Sequence, residues 1–386
     1  MGPMTAPSLL QRVTGDAEAY LATLEALVTL ESPSRDKPLA DRLAGALAET
    51  LSADGWDVQR HGQQQVGDVI EARLPGGDRD DATLLLAHYD TVWPEGTLAT
   101  MPFRRDGDAV YGPGVLDMKA GIATALHAVR ALRAAGAALR GPVTLLVTSD
   151  EETGSHHSRE HIERLAPQHA RVLVLEPGRE DGAVKVGRKG VGQVHLRLQG
   201  VSAHAGNNPG DGASALRELA HLLLFAEDLA DDDKGTTVNL TVARGGTTGN
   251  VIAETAEAEV DMRVLRSEEA ERVMRALHAY EPRDGRVAVT VSGGLNRPPL
   301  ERTPGNEALW REAQALGEAL GTKLHGAVVG GGSDGSFTSA LGVPTLDGLG
   351  SVGAGPHARF EHILLPDTLG RVGLVAALLA GGTPAS

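Results

Sequence analysis

ATLLLAHYDTV, residues 82–92, decides the architecture: an unbroken apolar run that ends in a histidine and an aspartate. A half-exposed strand would alternate, so a continuous run of this length reads as a strand covered on both faces. VIEARL (69–74), VTLLVTS (143–149) and RVLVLE (171–176) read the same way, and segments at 16–31, 38–53 and 119–135 carry apolar residues at helical spacing. Apolar strands separated by amphipathic helices predict an α/β fold built on a mostly parallel sheet. In such a sheet ligands collect beyond the carboxyl ends of the strands. His88 and Asp90 follow one run, Glu151 and Glu152 another, and Glu176 a third.

The pattern changes near Gly190. GQVHLRLQG (192–200) alternates strictly; a helix over about 211–229, strands at 236–246 and 254–265, a helix from Ser267 and a strand at 287–294 follow. That order, βαββαβ, predicts a small α+β unit with two helices on one face of an antiparallel sheet. After Arg302 the first style returns, with helices at 305–320, 333–341 and 366–380 and strands at AVVGG and PTLDGL. A chain of 386 residues exceeds the roughly 250–300 that one core serves. The expected division is a catalytic domain in two pieces, 1–188 and 300–386, with residues 189–299 inserted between them.

Composition excludes several classes. A formal charge of −15 argues against nucleic acid and against anionic membrane as partners. There is no cysteine, so thiolate metal sites and disulfides are ruled out. No stretch approaches about 18 uncharged apolar residues, and the first residues lack a signal-peptide pattern. A cytoplasmic protein is the expectation.

The polar residues at the strand ends are of metal-binding type, and Asp117 in GPGVLDMKAG (112–121) and His357 in GAGPHARFEH (353–362) join them. Singly, each reads as an ordinary solvated loop residue; three strands ending in such residues make coincidence a poor account. Carboxylates and imidazoles in this number can hold two divalent cations about 3.5–4 Å apart. Adjacent Glu151 and Glu152 repel unless a cation compensates one, and the natural division is one ligand and one general base. Asp90, two residues past His88, is placed to accept a hydrogen bond from its imidazole and orient it. His156, His157 and His161 read as a solvated helix start.

HYDTV, GxGxxDMKxG, TSDEExGS, LEPG, SAHAG (202–206), GGGSD (330–334) and the late GPH together resemble the di-zinc aminoacylase, acetylornithine deacetylase and glutamate carboxypeptidase superfamily, most of all its folate-cleaving glutamate carboxypeptidases. The resemblance runs from about residue 80 to the end. It implies a zinc-exopeptidase-like catalytic domain and an inserted dimerisation or lid domain. It also implies two divalent ions, Zn²⁺ before Co²⁺ or Mn²⁺, one held by His88, Asp117 and Glu176 and the other by His357, Asp117 and Glu152. Glu151 would be the base, and His204 would serve the oxyanion in the partner subunit of a homodimer. Asn250 and Arg263 would hold the free carboxylate of a small peptide or N-acyl amino acid; for Arg263 a surface ion pair is the rival reading. The relatives' lysine for a glutamate side chain falls at Ala183, which leaves Arg297 as the cation for an acidic group. Release of a C-terminal amino acid such as glutamate is therefore set beside deacylation of N-acyl amino acids or diamines, and beside a broad dipeptidase. A cis bond between Asp117 and Met118 is expected as well.

Overall fold

A computed structural model describes residues 6–380, which divide into two compact units. The first comprises residues up to Gly187 together with 301–328 and from Ser333 onward; the second comprises 188–300 with 329–332.

The first unit is built on a six-stranded mixed sheet in the order Asp57–His61, Val69–Leu74, Val143–Thr148, Thr83–His88, Arg171–Val174, Thr345–Leu346. The last four run parallel, and the first two add antiparallel ladders at one edge. Val69–Leu74, read as part of the parallel set, is thus an antiparallel neighbour of Val143–Thr148. The central strands Thr83–His88 and Val143–Thr148 are buried at every position, as unbroken apolar runs require. Helices cover the sheet, and the one over Ala120–Ala134 buries twelve of its fifteen residues. Asp36 caps Lys37–Ala53 by accepting from Leu39 N, and Thr303 caps Pro304–Ala319 by accepting from Asn306 N.

Gly326–Val329, read from the sequence as a strand of the main fold, instead pairs with Val184–Arg188 in a separate two-stranded ladder. A small four-stranded sheet of Gly353–Ala354, His362–Leu364, Ala109–Tyr111 and Arg104–Asp106 had no counterpart in the sequence reading.

The second unit is an antiparallel sheet in the order Thr237–Gly245, Thr255–Val264, Gly190–Gln199, Ala288–Arg297. Val194, Leu196, Leu198, Ala258, Val260 and Met262 form its buried face, against the helices Ala215–Glu227 and Ser267–His278. Thr237–Gly245 is an edge strand. Among the described residues no helix is long and apolar enough to cross a membrane.

Candidate active site

Three parallel strands deliver their ends to one place in the first unit. His88 is the last residue of its strand, Glu151 and Glu152 lie in the short turn after Val143–Thr148, and Glu176 lies two residues beyond Arg171–Val174. Asp117 comes in from the turn before the helix Ala120–Ala134, and its peptide bond to Met118 is cis. His357 comes from the loop between Gly353–Ala354 and His362–Leu364 and has φ +61°.

Asp117 stands in the middle. Its Oδ1 is 3.2 Å from His88 Nε2 and its Oδ2 is 3.6 Å from His357 Nε2. His88 Nε2 is also 3.4 Å from Glu176 Oε1 and 4.0 Å from Glu151 Oε2, while His357 Nε2 is 3.2 Å from Glu152. One ligand atom from each of His88, Glu151 and Glu176 lies within 4.8 Å of the others, and the same holds for His88, Asp117 and Glu152. All six side chains named for the centre therefore converge.

Asp90 differs from expectation in its atoms. His88 Nδ1 donates to the main-chain carbonyl of Asp90 at 3.0 Å, with the carboxylate at 3.3 Å. The carboxylate oxygens accept instead from Glu151 N and Glu152 N, each at 3.2 Å. The carbonyl bond fixes a proton on Nδ1 and leaves Nε2 as the ring atom that could take a metal. Asp334 braces the far side of the Glu151–Glu152 turn, accepting from Thr148 Oγ1 at 3.1 Å and from Ser155 Oγ.

The electrostatics ask for positive charge. Burial alone would lower the pKa of His88, yet Asp117, Asp90 and Glu176 hold it well above the usual imidazole value. Asp117 and Glu152 push His357 up to about 10. Burial would raise Asp117, but the facing imidazoles of His357 and His88 hold it far below the usual carboxylate range. Glu152 is raised, by burial first and by the nearby charge of Asp117. Buried carboxylates crowded this closely draw protons onto the imidazoles, and a divalent cation meets the same demand. His88 Nε2 and Asp117 Oδ1 are buried without a hydrogen bond of acceptable geometry. Such orphaned acceptors facing one another are costly unless something coordinates them. The donors are nitrogen and oxygen throughout, so the set fits a zinc-type ion.

Three further residues belong to the surroundings. Lys185 Nζ lies 4.0 Å from Glu176 Oε2, and buried Ala183 is two residues before it. Glu361 is buried beneath the Asp117 turn. Neither had a local signal, because a lysine in an alternating strand and a glutamate four residues after a histidine match no ligand spacing. Asp334 lay inside the GGGSD stretch but carried no role.

The remaining named residues lie in the second unit. His204 is exposed, and its Nδ1 accepts from Gly206 N and Asn207 N at 3.1 and 3.0 Å. Both bonds need a lone pair on Nδ1, so Nε2 carries the proton and is a donor. Asn250 is exposed beside it and accepts from Ala205 N through its carbonyl at 2.9 Å. Arg263 is engaged by Asp261 through Nε and Nη2, each at 2.9 Å, so the ion pair weighed against a substrate role is present. Arg297 closes its strand and is buried.

Comparison with known proteins fits this centre. Carboxypeptidase G2 of Pseudomonas sp. (strain RS-16) is 32% identical over 96% of this chain and 91% of its own length. A succinyl-diaminopimelate desuccinylase of Alkalilimnicola ehrlichii is 29% identical over 91% of this chain and 96% of its own. Among solved structures, aminopeptidase PepT from Bacillus cereus superposes with a TM-score of 0.81 over 94% of this chain and 98% of its own, at 22% identity, which speaks for the fold. The model of peptidase family M20/M25/M40 matches residues 84–381, the span that carries every ligand-type residue described above, and the chain belongs to that family.

Proposed function

We propose that this hydrolase cleaves an amide bond to release a C-terminal amino acid, with glutamate the leading candidate. The observation that carries the reading is Asp117 facing His88 with one carboxylate oxygen and His357 with the other, beside Glu151. In this reading His88, Asp117 and Glu176 hold one divalent ion, and Asp117, Glu152 and His357 hold the second. Divalent ions held by these residues would supply polarisation of the scissile carbonyl and a more acidic water. Glu151 takes a proton from the attacking water and returns it to the leaving amine. Asp90 keeps the Glu151–Glu152 turn and the His88 ring in place. His204, whose Nε2 carries a proton, donates to the developing oxyanion from a partner subunit.

Asn250 and Arg263 would take the substrate carboxylate; for Arg263 this means exchanging Asp261 for the substrate, a like-for-like swap of one bidentate carboxylate for another. Lys185 and Arg297 are the cations available for an acidic group. Zn²⁺ suits the donor set, with Co²⁺ and Mn²⁺ as substitutes, and a homodimer formed through the second unit would supply His204.

The similarity to a desuccinylase favours a second reading, deacylation of an N-acyl diamine. Steady-state kinetics on N-acyl-glutamate, peptidyl-glutamate, N-acetylornithine, an N-succinyl diamine and neutral dipeptides separate the two. The first reading expects the highest kcat/KM for the two substrates that release glutamate; preference for N-acetylornithine or the N-succinyl diamine would replace it with the second.

A further inference from the structure

Glu361 is wholly buried, and its carboxylate accepts four hydrogen bonds. Oε2 accepts from Trp93 Nε1 at 2.8 Å and Gly114 N at 3.0 Å; Oε1 accepts from Leu116 N at 2.9 Å and Asp117 N at 3.1 Å. Three of these donors are main-chain amides of the single turn that presents Asp117, a concave nest for an anion. All four lone-pair sites of the carboxylate are used, and every partner is a donor. The same residue stands four positions after His357. It directly precedes His362–Leu364, whose His362 pairs with Tyr111 at the end of the strand leading into the Asp117 turn. Glu361 thus fastens the segment bearing Asp117 to the segment bearing His357, next to the ladder that joins the same two segments. His88 and Glu176, in contrast, are carried by parallel strands of the six-stranded sheet.

We propose that Glu361 is a positioning residue for the metal centre: by gripping the Gly114–Asp117 amides it sets the spacing of Asp117 and His357, and with it the affinity for the ion those two share with Glu152. This rests on the two-ion reading given above. Glu361 touches neither ion nor substrate and acts through Asp117 and the His357 loop. A glutamine in its place can accept from two of the four donors only, and sets its own amide N–H groups against the others.

The test is calorimetric titration of metal-free protein with Zn²⁺. Wild type is expected to take up two ions per chain. In Glu361→Gln one ion should bind roughly 10–100-fold more weakly, while the other changes by less than about threefold. Trp93→Phe removes a donor outside the turn and should leave both affinities unchanged. Adding His357→Ala to Glu361→Gln should weaken the affected ion less than His357→Ala does alone, the non-additivity expected of coupled residues. If the glutamine variant does not fold, Glu361→Asp, which keeps the charge, should show a smaller loss confined to the same ion.

Two wild-type affinities in the folded glutamine or aspartate variant would overturn the proposal. Equal weakening of both ions, matched by Trp93→Phe, would also overturn it and assign Glu361 to general stability. Wild-type protein that takes up fewer than two ions would remove the two-ion reading and this proposal together.

Discussion

Asp90 serves the site with each of its oxygens: the carbonyl holds His88 Nδ1, and the carboxylate holds the amides of Glu151 and Glu152. One buried residue thereby fixes His88 and the Glu151–Glu152 turn at once, and the Glu151 side chain, which takes no part in those bonds, can be altered without breaking them. Glu151→Gln should keep both ions and lose at least about 10²–10⁴-fold in kcat, since an amide neither takes nor returns the proton. Metal analysis alongside the assay checks this, and near-native turnover at full metal content would move the base elsewhere. His127 gives a separate pH signature. Burial, reinforced by Arg130, pulls its pKa down to about 4. The unfolded chain binds the extra proton first, so His127 costs stability as pH falls from about 6.5 to about 4 and costs none above that window. Thermal melts of His127→Gln and wild type should converge or cross toward pH 4, with wild type gaining relative stability up to about pH 6.5; parallel curves would contradict it. The convergence of the strand-end histidine and carboxylates was legible in the sequence because each follows a run of apolar residues, where a charged side chain has no packing reason to be. Glu361 was not, because its role depends on four donors brought from residues 93 and 114–117, which no spacing rule links.

At the scale of elements, the site depends on backbones that meet without side chains between them. A Cβ on Gly350 would lie 1.9 Å from the Leu175 carbonyl oxygen, and one on Gly121 would lie 2.0 Å from the same oxygen. Gly350 N also donates to the Glu176 carbonyl at 2.9 Å, so this junction sets where Glu176 leaves its strand. Gly350→Ala must push the strand end aside. It should lower stability by about 1–3 kcal/mol and weaken metal uptake, read by urea denaturation and zinc titration; unchanged values of both would mean the contact relaxes freely. The long helices and central strands were legible because eleven or more residues of one period, or six of unbroken apolarity, outweigh local noise. The small sheet of Arg104–Asp106, Ala109–Tyr111, Gly353–Ala354 and His362–Leu364 was not, since two or three residues show no period. Val69–Leu74 was legible as a strand, but its direction was not, because a run buried on both faces looks the same in either orientation.

At the scale of the molecule, the exposed edge strand Thr237–Gly245 offers unpaired main-chain groups, and pairing across a two-fold axis is a common way to satisfy them. A dimer built this way would let His204 act in the other subunit. Inactive His204→Ala and inactive Glu151→Gln proteins, allowed to exchange subunits, should then regain activity, because one site in each mixed dimer has an intact base and an intact partner histidine. No recovery after demonstrated exchange would confine His204 to its own chain or to a structural role. All of this presupposes that Asp117 lies between two ions, and anomalous diffraction at the zinc edge from zinc-loaded crystals tests that most directly. Two peaks flanking the Asp117 carboxylate, one against His88 and Glu176 and the other against Glu152 and His357, are the predicted result; a single peak, or peaks away from Asp117, would contradict it.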